Sequence, residues 1–226
     1  MGVRLQELTY AAKDPAGLAR FWAGVLGFEV VDDAVIAPAD ERAFRLRFVA
    51  SDLPKLSPNQ MHFDLTSTSL DDQQAQVDRV LELGGQHLDI GQSPDEPHVV
   101  LGDPEGNEFC VIEPTNNFLA NTAVIGALSS DGSQAVGYFW AKALDWPLVW
   151  DQDEETAIQA PYGGTKIAWG GPPVNPKLGV NRLQFKLIAD GDLQAEIDRL
   201  VALGAKTGED GVLIDPDGNE FVVLAG

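Results

Sequence analysis

The feature that most restricts this chain is an internal repeat. Phe21-Trp22-Ala23, followed by Leu26 and Val30, returns as Phe139-Trp140-Ala141, followed by Leu144 and Leu148. Val77-Asp78-Arg79-Val80-Leu81-Glu82-Leu83-Gly84-Gly85 returns as Ile197-Asp198-Arg199-Leu200-Val201-Ala202-Leu203-Gly204-Ala205. Asp103-Pro104-Glu105-Gly106-Asn107-Glu108-Phe109 returns as Asp215-Pro216-Asp217-Gly218-Asn219-Glu220-Phe221. The blocks keep their order but not their spacing, so loops differ between the copies. The chain therefore divides into two related domains, 1–115 and 118–226. The polar, helix-breaking stretch Pro114-Thr115-Asn116-Asn117 reads as the linker.

Within the first copy, Leu5–Ala11 reads as a short strand, and Asp14-Pro15 is an N-cap followed by proline at the first helical position. Leu18, Phe21, Trp22, Val25 and Leu26 fall on one helical face that stops at Gly27. Strand-like runs follow at 28–31, 34–37 and 43–49, then a proline-containing loop at 51–59. Met61–Leu65 opens a second unit, with a helix starting at Asp71/Asp72 and ending at Gly84-Gly85. Strands at 98–101 and 109–113 flank the Asp-Pro-Glu-Gly turn. Each copy is thus a tandem of two βαβββ units, an α+β class. Phe21/Trp22 and Phe139/Trp140 are expected to be buried against their own sheets.

Charge and composition exclude several functions. With 35 acidic against 15 basic residues the formal charge is −20, which disfavours nucleic acid and anionic membranes as partners. The single cysteine, Cys110, rules out an internal disulfide, and with no apolar leader at the N-terminus a cytoplasmic protein is expected. No apolar run reaches the length of a membrane span.

Taken together, the βαβββ tandem, the Phe21-Trp22 helix ending Leu26-Gly27-Phe28, the strand His62-Phe63-Asp64-Leu65 and the closing Asp103-Pro104-Glu105-Gly106-Asn107-Glu108-Phe109 resemble the vicinal oxygen chelate superfamily. The nearest likeness is to its glyoxalase-like domain group (glyoxalase, bleomycin-resistance and dioxygenase relatives). The resemblance covers both copies. It implies two domains in which paired βαβββ units curve into half-open barrels around a cavity. The superfamily spans lyases, isomerases, dioxygenases, thiol transferases and metal-free binders, so the resemblance does not select an activity.

Metal-dependent relatives carry ligands on inward positions of their strands. Carried over, these positions are Glu7, seven residues before Asp14, then His62, and Cys110, three residues after Asn107. Carboxylate, imidazole and thiolate can jointly hold a zinc-like divalent cation. They do not form the two-His, one-carboxylate set of an iron dioxygenase. In the second copy the matching positions are Val124 or Ile125, Gln184 and Val222, which cannot hold a cation, so a metal is expected in the first domain only. Glu7, His62 and Cys110 are expected to converge in one cavity. Further candidate ligand-binding residues are Asp64, which shares a strand face with His62, and Arg45 and Arg47, alternating on a cationic strand face that suits an anion. Trp146 and Trp169 complete the set, as aromatics that break the repeat.

Three readings stay open. The chain binds a small organic molecule in a barrel cavity without full metal-dependent catalysis. It is a metal-dependent lyase, isomerase or transferase using Glu7, His62 and Cys110. Or it is a structural or regulatory homodimer with filled barrels.

Overall fold

The computed structural model describes residues 2–40 and 42–226. Four βαβββ units follow one another. The first comprises β1 (Val3–Ala12), α1 (Pro15–Leu26), β2 (Glu29–Asp32), β3 (Val35–Ala37) and β4 (Leu46–Ala50). The second comprises β5 (Met61–Leu65), α2 (Leu70–Glu82), β6 (Gln86–His87), β7 (Val99–Gly102) and β8 (Glu108–Val111). The third comprises β9 (Ile125–Ser130), α3 (Gln134–Leu144), β10 (Leu148–Gln152), β11 (Glu155–Gln159) and β12 (Lys166–Trp169). The fourth comprises β13 (Leu183–Ala189), α4 (Leu193–Leu203), β14 (Lys206–Thr207), β15 (Val212–Ile214) and β16 (Glu220–Ala225).

Each helix begins at a short polar side chain that accepts a hydrogen bond from a free first-turn N–H. Asp14, Ser69, Ser133 and Asp192 serve Gly17, Asp72, Val136 and Ala195 respectively. The cap of α2 is Ser69, two residues ahead of the expected start. Asp71 and Asp72 lie in its first turn, where their charge favours the helix dipole.

The strands form two eight-stranded mixed sheets, and the pairing crosses the linker. The first sheet runs β14-β15-β16-β13-β1-β4-β3-β2, joining the first and fourth units through the antiparallel pair β1·β13. The second runs β10-β11-β12-β9-β5-β8-β7-β6, joining the second and third units through β5·β9. Both central pairs are interrupted at the same place, where Gln6 and Gly126 are the extra residues.

Alternation gives each sheet two distinct faces. In the second sheet Met61, Phe63 and Leu65 turn toward the helices, and His62 and Asp64 turn away. A single apolar core runs between the helix-bearing faces of both sheets. Trp22 lies at its centre. It is fully buried, with its ring 5.3 Å from Phe63 and 4.8 Å from Phe109, both in the next unit. Trp140 repeats this against Phe185 at 4.6 Å and Phe221 at 4.9 Å. The tryptophans are buried as expected, and these contacts reach the neighbouring unit of the same copy.

The Asp-Pro-x-Gly-Asn turn explains why its residues recur. Buried Asp103 accepts hydrogen bonds from the backbone N–H of Glu105 and Asn107, from the Asn107 amide and from the Trp22 indole N–H. Asp215 does the same for Asp217, Asn219 and Trp140. Gly106 and Gly218 have φ of 76° and 92°, a conformation open to glycine at little cost. The variable residue reaches the next helix entry. Glu105 accepts from the N–H groups of Lys13 and Asp14, and Asp217 from the N–H and hydroxyl of Ser133. This motif is structural cement between units.

Candidate functional site

The cross-linker pairing redistributes the residues singled out in the sequence. Glu7 lies on β1 in the first sheet, whereas His62 on β5 and Cys110 on β8 lie in the second. The expected Glu7–His62–Cys110 cluster is therefore not formed. The reason is topological: β1 pairs with β13 and β4, so Glu7 faces Lys186 and the arginines of β4 and its approach. The C-terminal set is divided in the same way. Gln184 and Val222 lie in the first sheet and Val124 borders β9 in the second. Register also corrects the alignment. Glu7 opposes Lys186 and Ala127 opposes Asp64, so the repeat partner of Glu7 is Ala127, not Val124 or Ile125.

His62 and Cys110 do meet, and Asp64 takes the place expected of Glu7. Asp64 opposes Cys110 across β5·β8, so both side chains leave the sheet on the face His62 uses. One donor atom from each of His62, Asp64 and Cys110 lies within 4.8 Å of the others. The His62 Nε2–Asp64 Oδ1 distance is 3.4 Å, and the Ser129 hydroxyl, opposite His62, donates to the other Asp64 oxygen. Burial alone would push the His62 imidazole down. Hydrogen bonds to Asp64 and Cys110 and the Asp64 charge outweigh it, and His62 is pushed up to about 10. Burial pushes the Cys110 thiol up, against the pull of His62. Both shifts favour the protonated forms, imidazolium at His62 and thiol at Cys110.

Behind Cys110 the open face is closed by a small second core of Val100, Ile112, Ala127 and Leu119, just past the linker, with Phe118 packed against it. Leu119 lies so close to Gly126 that a β-carbon there would stand 2.9 Å from its methyl group. In front of His62 the face opens into a cavity of about 960 Å³. Its lining includes His62, Phe118, Ser129, Trp150, Glu155 and Ala168. Trp150 donates its indole N–H to Glu155 at 3.2 Å, and its ring meets Phe118 edge-on at 5.9 Å. Trp150 was discernible only as one of several aromatics without a repeat partner. Trp169 also lines the cavity, but is buried, with its ring beside Gly132 and Gly137 on the helix side. Trp146 packs against the main core and does not line the cavity.

Arg45 and Arg47 are remote from this cluster in the chain's pairing. They surround Glu7 on the open face of the first sheet. Glu7 is 2% exposed. Burial raises its pKa, but hydrogen bonds from Arg47 and Lys186 and their charges prevail and hold it below the usual glutamate value.

A family model described as glyoxalase-like domain matches residues 7–112 and again 127–224. Among solved structures, glyoxalase I from Zea mays superposes with a TM-score of 0.65 at 14% identity, covering 99% of this chain and 92% of that one. A putative dioxygenase from Bacillus subtilis superposes with a TM-score of 0.60 at 14% identity, covering 98% of this chain and 84% of that one. At such identities the likeness is one of fold. No curated protein matches the sequence.

Proposed function

The chain belongs to the glyoxalase-like domain family, and from that premise we propose that it binds a small organic molecule in the cavity of the second sheet. The observation that carries this is the cavity itself. Its volume of about 960 Å³ is at the upper end of small-molecule sites, and Phe118 and Trp150 supply apolar walls above a few polar groups. His62 is one of the polar groups that line the cavity. As an imidazolium it donates a hydrogen bond to a ligand oxygen, and Asp64 and Ser129 hold its neighbourhood in place. Glu155, tied to Trp150, provides a further polar contact in the lining.

A second reading rests on the His62–Asp64–Cys110 cluster. Nitrogen, oxygen and sulfur donors within 4.8 Å of one another suit a borderline cation such as Zn²⁺ better than a hard one. Such a cation would polarise a ligand carbonyl in the cavity. Holding it requires His62 and Cys110 each to release a proton, so affinity would fall as pH drops.

The test uses the apolar fluorophore Nile red with the full chain. Saturable binding at one site is expected, with loss of that site in Ala168→Trp, which fills the cavity from β12. Nile red binding unchanged by Ala168→Trp overturns the assignment of the cavity. Repeating the titration with zinc chloride, on wild type and Cys110→Ser, separates the two readings.

A further inference from the structure

The geometry points to a second binding site, on the open face of the first sheet, where Arg45, Arg47 and Lys186 take a small oxyanion such as a carboxylate or phosphate group. This site is separate from the cavity of the second sheet and does not rest on the function proposed there.

The argument starts from an imbalance of charge. A buried carboxylate needs one cation to neutralise it, and Glu7 has three. Arg47 Nε is 2.6 Å and Lys186 Nζ 2.9 Å from one oxygen, and Arg45 Nε is 3.4 Å from the other. Among the described residues, Glu7 is the only acidic partner of all three. A chain of net charge −20 with 15 basic residues has thus placed three of them on one carboxylate, leaving a local excess of positive charge. Three cations around one anion repel one another, and a further negative charge would relieve that repulsion.

The unused hydrogen-bonding capacity points the same way. Both arginines approach Glu7 through Nε. Among the described residues their terminal nitrogens donate to no protein acceptor. A guanidinium carries five N–H donors in a planar fork that matches carboxylate and phosphate oxygens. The forks are accessible, with Arg45 and Arg47 side chains 43% and 35% exposed. Register places Thr9 beside Arg47 and Gln184 beside Thr9 on the same face. Both residues also line a cavity of about 220 Å³ that lies beside the cationic cluster without including it.

Comparison of the two open faces sharpens the point. Where the second sheet carries Asp64, its repeat partner in the first sheet is Lys186. Where the second carries Ala168, opposite Ser129, the first carries Arg47, opposite Thr9. The same framework presents a carboxylate on one face and cations on the other.

The experiment is calorimetric titration of inorganic phosphate, and separately of citrate, into the full chain at constant ionic strength. Saturable binding at one site is expected. Arg45→Gln should weaken it at least about tenfold, the loss of a charge-assisted hydrogen bond. Lys142→Gln, which removes an exposed helix cation, should leave it unchanged. Arg47→Gln removes the nearest partner of Glu7 and can impair folding, so the more exposed Arg45 carries the test. Failure of both anions to saturate, or equal affinity in wild type and Arg45→Gln, overturns the proposal.

Discussion

Glu7 and Asp64, at different positions of the repeat, show how a carboxylate on an open sheet face acquires its chemistry from the strands beside it. Glu7 is satisfied by cations on two neighbouring elements, Asp64 by a hydroxyl and an imidazole. The depressed pKa of Glu7 has a direct consequence for stability. A carboxyl whose folded value lies below its unfolded value stabilises the protein above the unfolded value. That contribution is lost as pH falls through the folded one. Wild type should therefore exceed Glu7→Gln in stability by about 3 kcal/mol near neutrality, the lower end for breaking a buried ion pair because the cations reach solvent. The difference should shrink below a pH of about 4.5, the unperturbed glutamate value. Denaturant unfolding of both proteins across the acid range measures this, and a constant difference would contradict the ionised state of Glu7.

At the scale of elements, the Asp-Pro-x-Gly-Asn turn links a hairpin to a helix of the preceding unit. Removing its first residue strands several buried donors at once, among them an indole N–H. Asp103→Ala and Asp215→Ala should each cost about 3 kcal/mol or more, and to similar extents, because the two networks share these bonds and differ only in a long one from the Tyr10 hydroxyl to Asp103. Thermal unfolding of the two variants checks this, and a large inequality would show that one turn is dispensable. The helices, hairpins and turns were legible in the sequence because each rests on local signals: the spacing of Leu18, Phe21, Trp22 and Val25, the caps, and the glycines of the turns. The partner of each sheet edge was not. Leu8 and Tyr10 would alternate with Glu7 and Thr9 in the same way whichever strand lay beside β1. The bulges at Gln6 and Gly126, marked only by the broken alternation of Leu5-Gln6-Glu7-Leu8 and by a glycine within a strand, displaced the match for Glu7. Of the expected set, His62 and Cys110 do meet because β5 and β8 belong to one unit, so their pairing is indifferent to the wider topology; Asp64 was singled out only as sharing the strand face of His62.

For the whole molecule, core packing and backbone pairing divide the chain differently. The aromatic clusters around Trp22 and Trp140 bind the units within each copy. The central strand pairs bind units from different copies. A polypeptide ending in the linker would leave both β1 and β5 without a neighbour on one side, two unprotected edges on one fragment. Residues 1–116 and 117–226 produced as separate polypeptides should therefore copurify as a complex. Size-exclusion chromatography of the co-expressed fragments tests this, and two independent monomers would contradict the interlocked arrangement. The same interlocking bears on how such a chain can change over generations. A duplicated protein made of separable lobes can discard a lobe whose role has lapsed. Here each copy supplies half of both sheets, so neither is expendable while the other face is in use. One face is then free to drift to a new chemistry while its strands continue to earn their retention as scaffold.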